Sequence, residues 1–184
     1  KSFFKKNNIP TSNFEYFKSL DELKKSFEDN KVKFPCVWKK TKFGYDGFGV
    51  KILNSFDDIN NLPNSEMIIE DYIPFEKELS VIVARNVKGD IKCYRTVEME
   101  FNNISNQVEF VISPGKISEE IDNEAQKLAI KLSESLDCVG LLAVEMFMNK
   151  NKILVNEVAP RPHNSGHFSI EACESSQFQQ HIRA

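Results

Sequence analysis

Apolar residues recur along this chain in two rhythms. In residues 118–137 they fall at Ile121, Ala125, Leu128, Leu132 and Leu136, the three-to-four spacing of one helical face. Ser118 stands at the N-cap and acids fill the first turn, so a helix is predicted. A shorter helix is predicted over residues 19–30. Ser19 followed by Glu22 reads as a capping box, and Leu20, Leu23 and Phe27 share one side. Ser55 caps a brief helix in SFDDINNL, and residues 1–8 read as the end of a helix closed by Ile9-Pro10. Elsewhere the apolar residues alternate or form short runs bounded by turns, which predicts strands. FPCVWKK and VKIL flank the loop TKFGYDGFG. A strand on each side of Pro74 follows in SEMIIEDYIPFEKELSVIVARN. DIKCYRTVEMEF and QVEFVIS flank NNISN, and LLAVEMFM and ILVNEVA flank MNKNK. Strands joined by short turns pair antiparallel, so the predicted fold class is α+β.

The last hairpin carries the first chemistry. Each of its apolar strands holds one carboxylate, Glu145 and Glu157. Pairing symmetric about Asn151, with an odd-numbered loop, sets these acids directly opposite each other. A slip of one residue would put them on opposite faces. Like charges opposite on a sheet repel, and a carboxylate in an apolar strand is costly to desolvate. A divalent cation between them removes both costs. Oxygen ligands suit a hard ion such as Mg²⁺ or Mn²⁺. Two strand-end glutamates facing water would read the same way.

Composition narrows the field. The chain has 184 residues, enough for one domain or two small lobes. Its net charge is −3, from 24 basic and 27 acidic residues, which gives no reason to expect nucleic-acid binding. No apolar run is long enough to span a membrane as a helix. The four cysteines, Cys36, Cys93, Cys138 and Cys173, are widely spaced without a C-x-x-C, which predicts reduced thiols in a cytoplasmic protein.

Arginine is scarce and unevenly placed. Of Arg85, Arg95, Arg161 and Arg183, two fall in the C-terminal stretch together with all three histidines, His163, His167 and His181. Arg161, His163, Asn164, Ser165 and His167 crowd into seven residues, held by Pro160, Pro162 and Gly166. Arginine is the forked donor for planar anions. A zinc site on His163 and His167 is disfavoured, because Pro162 and Gly166 oppose the helix their spacing would need.

The run NEVAPRPHNSGH followed by SQFQQHIRA closely resembles the signature of the 5-(carboxyamino)imidazole ribonucleotide synthases (the PurK family), which are ATP-grasp carboxylases. The resemblance spans essentially the whole chain. It implies an ATP-grasp fold of two lobes, residues 1–72 and 73–184, each a mostly antiparallel sheet with helices, with nucleotide between them. It also implies a Rossmann-like domain before this stretch and a small domain after it.

The same resemblance assigns residues. Lys39 and the loop Gly44, Tyr45, Asp46, Gly47, Phe48 and Gly49 would grip ATP phosphates through a cation and backbone N–H groups. Glu70, Asp71, Tyr72 and Ile73 match the linker that meets adenine, and Glu78 matches the acid that accepts from the ribose hydroxyls. Glu145 and Glu157, with Asn156 beside them, would hold Mg²⁺ (or Mn²⁺) on the ATP phosphates. Arg161 and His163 would hold bicarbonate, with Asn164 and Ser165 also at the substrate. Tyr45 and Asp46 would face the aminoimidazole ribonucleotide, Asp46 orienting or deprotonating its amine. The chain departs from the family at Phe48 and Val50, where a basic residue and glutamine are usual. It departs again at Met99 and Phe101, where asparagine and histidine are usual. The implied function is ATP-dependent carboxylation of 5-aminoimidazole ribonucleotide with bicarbonate, through carboxyphosphate, in purine biosynthesis. Relatives are often dimers, so a homodimer is implied. The alternatives are another ATP-grasp carboxylate–amine ligase and a nucleotide-binding module without catalysis.

Overall fold

The computed structural model describes residues 1–42, 49–102 and 107–184. They divide into two units. One comprises Ser12–Pro74. The other comprises Lys1–Thr11, residues 75–102 and Val108–Ala184.

In the first unit, strands β1 (Phe14–Phe17), β2 (Cys36–Lys40), β3 (Val50–Leu53) and β4 (Met67–Asp71) form an antiparallel sheet in the order β1-β4-β2-β3. Alternation sends Cys36, Trp38, Met67 and Ile69 to one face. There Leu23 and Phe27 of α2 (Leu20–Glu28) and Ile59 of α3 (Phe56–Ile59) complete the core. Both helices begin as their caps predict. The Ser19 hydroxyl accepts from the Glu22 N–H, and Ser55 with Asp58 makes a reciprocal capping box. Strand β1 was not foreseen, being four residues long and set among polar residues.

In the second unit the sheet order is β10-β9-β5-β7-β8, with β6 also on β5. These strands are β5 (Lys77–Arg85), β6 (Ile91–Cys93), β7 (Val97–Phe101), β8 (Val108–Ile112), β9 (Gly140–Asn149) and β10 (Lys152–Ala159). The stretch expected as one strand over DIKCYRTVEMEF is two. Thr96 leaves the ladder to bond Asp122, and its carbonyl accepts from the Gly115 N–H. Helix α4 (Glu119–Ser135) lays Ile121, Ala125, Ala129 and Leu132 on the face formed by Leu79, Val81, Val83, Leu142, Val144, Met146, Ile153 and Val155. Leu136, expected in that stripe, is the exposed C-cap instead.

The expected partition at residue 72 needs one correction. Residues 1–11 belong with the second unit, although they precede the first in sequence. Helix α1 (Ser2–Lys6) contributes Phe4 to the α4 core, joined by Ile9. The Pro10 carbonyl then accepts from the Val155 N–H at 2.8 Å, and the Thr11 hydroxyl donates to the Val155 carbonyl at 2.7 Å. These are non-local contacts, invisible to local pattern.

The four cysteines are free thiols. Burial, with the nearby carboxylates of Asp71 and Asp122, pushes Cys36 and Cys93 up to about 11. Among the described residues no helix is long and apolar enough to cross a membrane.

Candidate active site

In the first unit the candidate residues lie on the sheet face turned away from its core. Val37 pairs with Glu70 and Lys39 with Ile68, so all four share that face. The Lys39 ammonium lies 3.4 Å from the Glu70 carboxylate, which is 3% exposed. The Ser12 hydroxyl donates to the other Glu70 oxygen at 2.7 Å. A carboxylate this deep requires such partners. The pair therefore holds the lysine at a set height above an otherwise apolar face, with Val50 and Ile52 exposed beside it. The side chain of Glu70 is used inside the unit. Asp71 is likewise tied down. Its N–H donates to the Asn13 carbonyl, and its carboxylate accepts from the Asn13 amide at 2.8 Å. Tyr72 and Ile73 follow the strand end, Tyr72 exposed. Gly49 has φ +91°, and its carbonyl accepts from the Lys40 N–H. Gly44, Tyr45, Asp46, Gly47 and Phe48 lie outside the described residues.

In the second unit the opposite face from α4 carries the acids. Ser80 pairs with Glu145, Glu78 with Phe147, and Glu157 with Glu145. Residues directly opposite share a face, so Glu78, Glu145 and Glu157 line one side of three adjacent strands. The expected opposition of Glu145 and Glu157 is present, but its cause differs. Near the turn the ladder pairs Lys152 with Asn149 and Val155 with Met146. The loop is two residues, Lys150 and Asn151, at φ +48° and +59°, as a type I′ turn requires. A bulge between Val155 and Glu157 then adds Asn156 and shifts the register by one.

Past the strands the chain folds back over this face. The Arg161 N–H donates to the Ala159 carbonyl, and its exposed guanidinium donates to the Pro162 carbonyl at 3.0 Å. His163 is 9% exposed, and its Nε2 lies 2.8 Å from Glu145 Oε1. Asn164–Gly166 make one 3₁₀ turn, with Asn164 exposed. Ser165 is 0% exposed, so its side chain does not reach a substrate as expected. Its hydroxyl instead lies 3.0 Å from His163 Nδ1 and 2.8 Å from the Ser80 hydroxyl.

The turn is seated from both sides. A Cβ on Gly166 would stand 2.2 Å from Ile82 Cδ1 and 2.6 Å from Gln177 Oε1, so only glycine allows this approach. Gln177, fully buried at the start of α6 (Gln177–Arg183), clamps the backbone of His163. Its Oε1 accepts from the His163 N–H at 2.9 Å and its Nε2 donates to the His163 carbonyl at 2.8 Å. Ser169, in the short helix α5 (Ser169–Ala172), donates to the Gly166 carbonyl and accepts from the Gln177 N–H.

Ser80 and Gln177 are the residues that sequence reading missed. Each left a signal. Ser80 is a lone hydroxyl between Leu79 and Val81, and Gln177 lies in the tail run already noted.

The donor set fits a hard cation. Glu145 and Glu157 offer carboxylate oxygens from neighbouring strands, with Cβ atoms roughly 4.5–5.5 Å apart in such a pair. No group of three or more His, Cys, Asp or Glu poised for a metal occurs among the described residues. The protein would thus supply few ligands, the usual case for Mg²⁺ completed by phosphates and water.

The chain is similar to known proteins along nearly its whole length. The model of the ATP-grasp domain matches residues 2–178. The N5-carboxyaminoimidazole ribonucleotide synthase of Bacillus subtilis is 41% identical over 177 residues, covering 93% of this chain and 45% of that protein. The structure of N5-carboxyaminoimidazole ribonucleotide synthetase from Thermotoga maritima superposes with a TM-score of 0.84 at 42% identity, over 100% of this chain and 46% of that one. The Aspergillus clavatus synthase in complex with ADP and 5-aminoimidazole ribonucleotide gives 0.87 at 29% identity, over 100% and 48%. The chain thus spans about half the length of these three relatives.

Proposed function

The chain belongs to the ATP-grasp family, and on that premise we propose that it is the ATP-using core of an enzyme that carboxylates 5-aminoimidazole ribonucleotide with bicarbonate. The observation that carries this reading is the meeting of Glu145, Glu157 and His163 on one sheet face, with Arg161 at its rim. The names of the similar proteins support it, one of them seen with ADP and the ribonucleotide.

In this reading a bicarbonate oxygen attacks the γ-phosphorus of ATP and ADP leaves. The amine nitrogen of the ribonucleotide then attacks the carboxyl carbon of carboxyphosphate, phosphate leaves, and Asp46 takes the amine proton. Phosphoryl transfer needs charge neutralisation and alignment more than covalent help. Lys39, held by Glu70, supplies a cation to the phosphates. Glu145 and Glu157 would hold Mg²⁺ (or Mn²⁺), which when bound neutralises phosphate charge. The guanidinium of Arg161 presents a fork to planar bicarbonate. The Nε2 side of His163 faces Glu145, and there it orients the carboxylate beside the reacting anion. Glu78 would accept from the ribose hydroxyls, and Asn156 would lie beside the phosphates. The reading places the enzyme in the cytoplasm as a homodimer, which sedimentation of the full-length protein checks.

The test is ADP release by the full-length protein with Mg²⁺ and ATP. Release that requires the ribonucleotide and rises with bicarbonate is the expected result. Release indifferent to the ribonucleotide would leave only the ATP site and favour another acceptor amine.

A further inference from the structure

A chain of buried hydroxyls runs behind His163 and has no part in the roles above. Ser80 is 1% exposed, and the Ser165 hydroxyl bridges it to the imidazole. We propose that Ser80, acting through Ser165, is a positioning residue that holds His163 with its proton on Nε2, directed at Glu145. This rests on the carboxylase reading for its effect on turnover, but not for its geometry.

The direction of donation follows from groups that have no choice. The Ser165 N–H can only donate, and it points at His163 Nδ1 from 3.3 Å. Nδ1 therefore presents its lone pair, and the proton of the neutral ring sits on Nε2. There it meets Glu145 Oε1 at 2.8 Å, an acceptor. The Ser165 hydroxyl can then donate to Nδ1 as well, which leaves its oxygen to accept from the Ser80 hydroxyl. The reverse order would set two N–H groups against each other at Nδ1 and a nitrogen lone pair against a carboxylate.

The two ends of this relay are fixed by one ladder. Ser80 and Glu145 are directly opposite each other on β5 and β9. Ser165 and His163 bridge over them, and Gln177 holds the backbone of that bridge. Packing alone does not explain Ser80, since an alanine would suit Val97, which pairs with it on the same face.

The experiment uses the full-length protein with Ser80→Ala, Ser165→Ala, the double variant and Ser80→Thr. The first readout is the nitrogen NMR spectrum of the His163 ring at a pH above about 8, where an ordinary histidine is neutral. The wild type is expected to show one tautomer, protonated at Nε2, and each alanine variant a shifted Nδ1 resonance, because the hydroxyl donation to Nδ1 is lost or weakened while the Ser165 N–H remains. The second readout is ADP release. Each alanine variant should lose roughly 10-fold in kcat, the scale typical of removing a partner behind a functional group, with the KM for ATP unchanged. The double variant should be no worse than the poorer single one, because both act through one chain. Ser80→Thr should recover both readouts.

A wild-type ring protonated at Nδ1 would overturn the proposal. So would additive losses in the double variant, or Ser80→Ala with wild-type spectrum and turnover. If ADP release proves independent of the ribonucleotide, the carboxylase reading falls, and the spectra still decide the relay.

Discussion

Glu145 and Glu157 stand opposite each other because strand β10 carries one residue more than its partner needs. Were Asn156 paired in the ladder instead of bulged, the register set by the Lys150-Asn151 turn would continue unchanged. Glu157 would then fall on the face of Ile153 and Val155, inside the α4 core. The bulge turns it to the other face and returns Val158 to that core. Bulges re-aim side chains in this way beside functional sites. The like charges so opposed destabilise the sheet unless something positive sits with them. His163 supplies a donor to one oxygen of Glu145, and a cation would meet the rest.

That arrangement makes Glu157→Gln the sharpest single test of the proposed metal site. The amide keeps the shape of the side chain and removes its charge. It is exposed, so the melting temperature should stay within a few degrees. Mg-ATP-dependent ADP release should fall by about 100-fold or more, on the scale of losing one preorganised charge-stabilising group. Unchanged release in a folded variant would remove Glu157 from the metal site.

Gln177→Leu tests the clamp. Leucine fills nearly the same volume but leaves a buried N–H and a buried carbonyl of His163 without partners. Each such orphan typically costs about 1–3 kcal/mol. Urea unfolding should show a loss of about 2 kcal/mol or more, and ADP release should drop with it. A stability equal to wild type would mean that water or another group satisfies the His163 backbone.

Gly166→Ala tests the close approach. The added methyl meets Ile82 and the Gln177 amide at distances no real contact tolerates. Overpacking of this kind costs typically 1–3 kcal/mol. Ile82→Ala should relieve part of the defect when combined with Gly166→Ala, because Ile82 Cδ1 is the nearest obstacle. Two losses that simply add would place the strain elsewhere.

The legible parts of this chain were those written locally. Ser19, Ser55 and Ser118 announced helix starts, and period-two alternation announced β5. The opposition of Glu145 and Glu157 was also legible, but for a mistaken reason. A symmetric odd loop and a two-residue turn followed by a bulge give the same pairing at those residues, and a bulge leaves no plain trace in composition. What failed was non-local. The burial of Ser165 depends on Ser80, 85 residues away. The docking of residues 1–11 depends on Val155 and α4. Polar residues crowded between prolines looked like a substrate loop, while two of them, His163 and Ser165, are buried and bond each other.

Asp122 gives a pH dependence with a definite sign. Burial in the first turn of α4 pushes its carboxyl up. The Thr96 hydroxyl at 2.5 Å, the Gln126 amide at 2.8 Å, the Arg95 guanidinium and the Thr96 N–H outweigh that, and the net shift is downward. The nearby Cys93 thiol is raised in turn by this charge. A carboxyl lowered on folding stabilises the protein fully above its unfolded value of about 3.9, and that contribution is lost as pH falls through the lower folded value. Asp122→Asn keeps the shape but replaces an acceptor of several donors with a half-donor. Its stability in urea should therefore be below wild type at pH 7, and the gap should close below about pH 4, where the wild-type carboxyl takes up its proton. A gap that stayed constant from pH 7 to about pH 3 would mean that Asp122 carries no folding-linked charge, and that Thr96 is held by shape alone.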